Sequence, residues 1–219
     1  MQLGDAMEKT GYLLIDAELG GPRFIDGSDA VLEIAMLLIP EPKGLTSKVE
    51  VDRFILKHVL GGKVQHFIIK PYGKVDQRVL DEVVHKPLSY YEENGQPIEA
   101  VAKEIASHLE AGRQQYMEIM PTSNWQGDVT AVEYVLSKDN KTLKSLAGTH
   151  NMLHTGSYAK ALRKAGAGND TKLRLKHTHD PRDDVRQMGE IFVRAQSALE
   201  KLAREQTGLP QQERSKGFA

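Results

Sequence analysis

The feature that most constrains the fold is the run Tyr12-Leu13-Leu14-Ile15, four apolar residues that stop abruptly at Asp16. A strand with one wet face alternates apolar and polar residues, so an unbroken run with charge only at its end belongs to a central strand covered on both sides. A chain with such a strand must supply two further layers to cover it. At 219 residues with 40% hydrophobic content, this chain can do so within one domain.

The sequence reads as further strands over Ala30 to Ile39, between Asp26-Gly27-Ser28-Asp29 and Pro40, and over Lys63 to Ile69 after Gly61-Gly62. Between them, Lys48 to Lys57 alternates weakly and reads as strand or extended loop, making the first third strand-rich with hairpin-like connections. The period then changes. Apolar residues at Val75, Val79, Leu80, Val83 and Val84 predict a helix, as do Ile98, Val101, Ala102, Ile105 and Leu109 between Pro97 and Gly112. Gln115 to Met120 reads as a strand, and Val129 to Leu136 and Tyr158 to Lys164 as helices. From Asp183 to Glu205 the residues Val185, Met188, Phe192, Ala195, Leu199 and Leu202 form one seam at helical spacing. A three-layer α/β domain with a mixed sheet over residues 1–205 is expected, followed by a flexible tail over 206–219.

Composition removes several function classes. With no cysteine, thiol nucleophiles, disulfides and cysteine-ligated metals are excluded, leaving carboxylates and histidine as strong metal ligands in a chain that fits a reducing, cytoplasmic setting. The net charge of -1 lacks the global basic excess of a protein that coats nucleic acid. The longest apolar run, Ala30 to Pro40, contains Glu33 and is about half the ~20 residues of a membrane span, and the first residues do not read as a secretory signal.

Against that background the acids stand out. Asp16 and Glu18 are two residues apart at the carboxyl end of the buried strand, so on an extended backbone they point the same way, with Gly20-Gly21 following. Ligands of open α/β sheets gather at this end of the strands. Asp184 falls in the first turn of the terminal helix, with His179 in the loop before it, and Asp128 opens the helix after the Gln115 to Met120 strand. Taken singly, Asp184 and Asp128 are ordinary helix N-terminal acids. Together the four carboxylates could surround two divalent ions with oxygen ligands.

In this order the set resembles the DEDD superfamily of 3′-to-5′ exonucleases, in the His-containing branch that includes polymerase proofreading subunits and oligoribonuclease. LLIDAELGG is similar to the first motif of that family, and His179 and Asp184, followed by Val185-Arg186 and a long helix, resemble its third. GSDAVLEIAMLLI is similar to the second-strand segment of oligoribonuclease. In the middle motif the family usually has an aromatic residue directly before the Asp; here Gly127 precedes Asp128 and the nearest aromatic is Trp125, with Asp139 as the competing acid.

The resemblance implies a ribonuclease H-like fold with a mixed five-stranded sheet flanked by helices. It also implies a metal-dependent exonuclease of single-stranded or short nucleic acid, RNA slightly ahead of DNA, that releases nucleoside 5′-monophosphates. Two Mg²⁺ or Mn²⁺ ions would be held by Asp16, Glu18, Asp128 and Asp184, with His179 in its neutral form as general base. Between residues 141 and 176 eight basic residues face a single acid, Asp170. Lys160, Arg163, Lys164, Lys172, Arg174 and Lys176 from this stretch are candidate phosphate contacts, and Trp125, Tyr90, Tyr91 and Tyr158 are aromatic faces on which a base could stack.

Two other readings compete. His150 and His154, four residues apart, could join His177 and His179 in a zinc site, although no Glu follows the first His as it does in metalloproteases. A nuclease fold could also serve binding or assembly without turnover.

Overall fold

A computed structural model describes residues 8–24, 26–149, 151–164 and 177–207. The apolar run lies inside a longer strand, β1 (Glu8–Leu19), which forms the middle of a five-stranded sheet. It pairs antiparallel with β2 (Val31–Pro40), which pairs antiparallel with the edge strand β3 (Gln65–Ile68). On its other side β1 pairs parallel with β4 (Tyr116–Ser123), and β4 pairs parallel with the two-residue β5 (Leu153–His154). The sheet order is therefore β3-β2-β1-β4-β5.

Alternation along β1 divides the core. Leu13, Ile15 and Ala17 pack on the side covered by α4 (Ile98–Arg113), α5 (Gln126–Ser137) and α6 (Leu143–Ala147). Leu14 faces the opposite side, against α1 (Lys48–Phe54) and the long terminal helix α8 (Pro181–Thr207), with Val51, Ile55, Val59, Val185, Met188 and Phe192 as its neighbours. A third, smaller cluster joins Ala30 and Leu32 to Leu80, Val84 and Tyr91. Leu80 and Val84 lie in the π-helical turn Leu80–Val84 that continues α2 (Gln77–Val79), and Tyr91 lies in α3 (Leu88–Asn94).

The stretch read as strand or extended loop over Lys48 to Lys57 is helical, continuing as a π-helical turn over Ile55–Leu60. Ser47 and Glu50 form a reciprocal capping box at its start, and Val51, Ile55 and Val59 recur every four residues to bury one face. The connection from β2 to its antiparallel neighbour β3 is therefore a long helical excursion and not a tight hairpin. Val75 to Val84 is divided between loop, helix and π-helix. The short elements α3, α6 and β5 were not anticipated, and α7 (Thr155–Lys164) starts three residues before the predicted helix.

The tail expected over 206–219 lies, from residue 208 on, outside the described residues. Among the described residues no helix is long and apolar enough to cross a membrane.

One close approach fixes the geometry that matters below. A Cβ built on Gly189 of α8 would lie 2.8 Å from Leu14 Cδ1 and 2.9 Å from Val59 Cγ1. The absence of a side chain there lets α8 lie directly on β1, with its N-terminus reaching toward the end of that strand.

Candidate functional site

The sheet is notched where β4 stops. Parallel pairing between β1 and β4 ends at Ile15 opposite Ser123, whereas pairing with β2 continues to Leu19. Asp16 and Glu18 therefore lie within the last turnless stretch of β1, on a strand free of β4, and point with Leu14 toward the α8 side. Gly20 and Gly21 then carry the chain away, and the Gly20 N–H donates to Ala30 O at 2.7 Å.

The N-terminus of α8 meets them there. Asp180 caps the helix, its carbonyl accepting from the Asp183 and Asp184 N–H groups and its side chain from the Arg182 N–H, and Pro181 occupies the first helical position. Asp184 is held from behind. Thr178 donates to its Oδ1 from both backbone N (3.0 Å) and Oγ1 (2.9 Å), and His177 Nδ1 lies 3.3 Å from Oδ2. Ligand oxygens of Asp16, Glu18 and Asp184 all fall within 4.8 Å of one another.

Asp128 enters from the opposite layer, in the first turn of α5. Ser123 Oγ, at the last residue of β4, donates to its Oδ2 at 3.0 Å, and the Ala17 N–H, left unpaired by the end of β4, also serves its carboxylate. Asp139, the competing acid, sits beyond the other end of that helix, 3.7 Å from Lys141 Nζ. All four site carboxylates are buried, at 6% exposure for Asp16, 7% for Glu18, 3% for Asp128 and 1% for Asp184.

Burial without compensation shifts their protonation. Burial first, then the charges of Asp128, Glu18 and Asp184, push the Asp16 carboxyl up to about 9. Glu18 is raised to about 8 by burial, Glu33, Asp184 and Asp128, against which Lys86 acts in the opposite direction. Asp128 is raised to about 7, chiefly by burial, with the Ser123, Trp125 and Ala17 hydrogen bonds opposing. A set of buried carboxylates at this spacing is unfavourable as anions and asks for positive charge. Oxygen donors bound to Mg²⁺ at about 2.1 Å lie up to about 4.2 Å apart, so the 4.8 Å set needs only a small contraction to share an ion. The donor chemistry fits a hard divalent cation.

Asp16, Glu18 and Asp128 line a cleft of about 440 Å³, together with His177 and His179. His179, whose backbone is left-handed at φ 57°, turns its ring so that Nδ1 is 3.9 Å from Glu18 Oε1, with the side chain 37% exposed. Its ring is stacked with that of His177 at 6.1 Å and edge-on to His85 at 6.3 Å. One wall is apolar, formed by Val79 and Val83, and Trp125 lines the cleft as well. Trp125 is 54% exposed. Its ring folds over Gly127, where any Cβ would collide with it, which accounts for Gly127 standing where an aromatic residue was expected.

Other sequence candidates fall elsewhere. Tyr91 is fully buried and donates to Glu33, and Tyr158 packs on Phe192 and donates to Gln196, so neither offers a face to a base. Lys160 is exposed on α7, whereas Lys172, Arg174 and Lys176, and the side chains of Arg163 and Lys164, lie outside the described residues. So does His150 of the zinc alternative. His154 Nδ1 accepts from the Ser157 N–H, and among the described residues the group of side chains able to hold a metal consists of carboxylates alone. Sequence reasoning did not anticipate Thr178 and Ser123 as supports, nor the wall formed by Val79 and Val83. No short motif announces either: a supporting hydroxyl five or six residues from its acid leaves no pattern in the chain, and the wall meets the acids only through the fold.

No protein-family model matches the chain, and no curated protein sequence does. Solved structures do match in fold. The zinc-ion-bound complex of Escherichia coli ExoI with single-stranded DNA aligns with a TM-score of 0.54 at 15% identity, over 92% of this chain and 42% of that one. Cell-death related nuclease 4 (CRN-4) aligns with a TM-score of 0.58 at 11% identity, over 84% of this chain and 62% of that one. This chain has a nuclease fold. A 3′-exonuclease described in recognition of the histone mRNA stem-loop shares it, with a TM-score of 0.57 and 10% identity over 89% of this chain and 67% of that one. The chain thus spans about two fifths of the ExoI chain and about three fifths of CRN-4. The mixed five-stranded sheet of this nuclease fold, flanked by helices, is the ribonuclease H-like architecture expected from the resemblance to DEDD exonucleases.

Proposed function

We propose that the chain is a DEDD-type, metal-dependent 3′-to-5′ exonuclease that shortens single-stranded or short nucleic acid, RNA ahead of DNA, to nucleoside 5′-monophosphates. The observation that carries this reading is the convergence of Asp16, Glu18 and Asp184 within 4.8 Å at the notch of the sheet, with Asp128 facing them and His179 at the rim. Two Mg²⁺ or Mn²⁺ ions, when bound, would supply the positive charge that steadies the phosphate oxygens and acidifies a water.

The residues of the chain do the rest. Asp16, Glu18, Asp128 and Asp184 hold the charge in place, and Thr178 and Ser123 keep two of them aimed. With Nδ1 of His179 turned toward Glu18, its Nε2 is the nitrogen that takes the proton of the attacking water. The apolar wall and Trp125 receive the terminal base, and the basic stretch after residue 141, Lys160 among it, meets the phosphates of the strand. The similarity of the β2 segment to oligoribonuclease favours RNA.

The reading is tested with 5′-labelled single-stranded RNA and DNA oligomers in Mg²⁺ or Mn²⁺, with product identity read by mass spectrometry. The expected result is a ladder shortening from the 3′ end with nucleoside 5′-monophosphate release, faster on RNA, abolished by chelation and in Asp16→Ala and His179→Ala. Oligomer binding without shortening under either metal would overturn it.

A further inference from the structure

Glu33 is fully buried on β2, directly opposite Glu18 in the β1–β2 register, yet it is not among the cleft carboxylates. It is surrounded by donors. Lys86 Nζ lies 2.5 Å from Oε1, Tyr91 OH donates to the same oxygen at 2.8 Å, and His66 Nε2 reaches Oε2 at 2.7 Å. Burial alone would raise the carboxyl, but the His66, Lys86 and Tyr91 hydrogen bonds outweigh it and hold Glu33 ionised. One charged group thus ties together β2, β3, α3 and the segment that ends at Lys86.

That segment is the apolar wall of the cleft. It runs through α2 and the π-helical turn carrying Val79 and Val83, then bends at His85, whose backbone is left-handed at φ 52°. A non-glycine residue in this region is held there by its surroundings. His85 Nδ1 donates to Asp81 O at 2.7 Å, and the next residue is Lys86. The edge-on contact of His85 with His179 places the bend against the loop that carries the proposed base. The same pairing reaches that loop electrostatically, since Lys86 acts on Asp180 and Glu33 on Arg182.

We propose that Lys86 is a positioning residue, pinned by Glu33, that holds the Val79–Val83 wall and the His85 bend in place beside the substrate cleft. Its kinetic consequence rests on the exonuclease reading; its structural consequence does not. A charge-assisted hydrogen bond to a buried carboxylate is strong enough to help order a short segment whose apolar residues pack on the small cluster around Leu80, Val84 and Tyr91.

The chain has one tryptophan, Trp125, and it lines the same cleft as the wall, so it reports on the wall without turnover. Lys86→Met, Lys86→Arg and the paired variant Glu33→Gln with Lys86→Met are compared with the parent protein by acrylamide quenching of Trp125 and by KM and kcat on a labelled RNA oligomer. The paired variant removes both charges, so no buried anion is left alone to compromise folding.

In Lys86→Met and in the paired variant, Trp125 should become more accessible to quencher. KM should rise on the order of tenfold with kcat within about twofold, and Lys86→Arg should restore most of the loss. Unchanged quenching and KM in Lys86→Met would overturn the proposal, and so would loss of kcat at constant KM. Recovery of the parent KM in the paired variant would overturn it too, by assigning the effect to an orphaned charge. If the parent protein shortens no oligomer, the exonuclease reading fails by itself, and Trp125 quenching still decides the tether.

Discussion

Trp125 lies over Gly127 and beside Asp128, and this arrangement explains a departure that the sequence alone leaves puzzling. The aromatic group is present at the site but comes from two residues further back, folded across a position that must lack a side chain. Gly127→Ala should displace the ring, raise KM for oligomers several-fold and shift Trp125 emission, with thermal stability nearly unchanged because the ring is largely exposed. The acids make a different prediction. Burial first, and then the neighbouring acids, push the Asp16, Glu18 and Asp128 carboxyls up to about 9, 8 and 7, well above the ordinary carboxyl range. The folded protein therefore retains protons that the unfolded chain has lost, and without metal these groups make stability fall as pH climbs from about 4 to about 9. Asp16→Asn, measured in EDTA by thermal melting, should be more stable than the parent protein at pH 8, and the advantage should shrink toward pH 4. The Asp16 and Glu18 pair was legible because period-two alternation dictates that they share a face. Thr178 behind Asp184 and Ser123 behind Asp128 were not, because a supporting hydroxyl leaves no pattern in the chain.

Among the elements, the long amphipathic seam of α8 and the apolar run of β1 were readable because each buries one uninterrupted set of side chains. The helix starting at Lys48 escaped notice for the opposite reason. Its buried residues Val51, Ile55 and Val59 alternate with exposed Val49, Leu56 and Leu60, and the turn widens to π-helical geometry midway, so neither period dominates. What nucleates it is the Ser47 capping box, and Ser47→Ala should cost about 1 kcal/mol, lowering the melting temperature by roughly 2–4 °C without changing activity. Gly189 is the opposite case, an element-scale change with a consequence at the site. Gly189→Val should push α8 off Leu14 and Val59, cost about 1–3 kcal/mol in melting experiments, and weaken divalent-metal affinity by carrying Asp184 away from Asp16.

For the whole molecule, the layer count and mixed sheet followed from the order of apolar periods, whereas the role of residues 43–95 did not. In the sequence this stretch carries no recognisable motif; in the structure it contributes an edge strand, a covering helix, the cleft wall and the Lys86 tether. Its function depends on returning to β2 through Glu33 and to the α8 loop through His85, contacts that are far apart in the chain. The α8 layer, the α5 layer and the strand between them each bring acid to one notch, and the proposed chemistry requires that this notch hold metal. Calorimetric titration of the full chain with Mn²⁺ at pH 8 tests it most directly. Saturable binding of two ions per chain, reduced to one or none in Asp16→Asn, is the predicted result; an absence of saturable binding, or binding indifferent to Asp16→Asn, would contradict it.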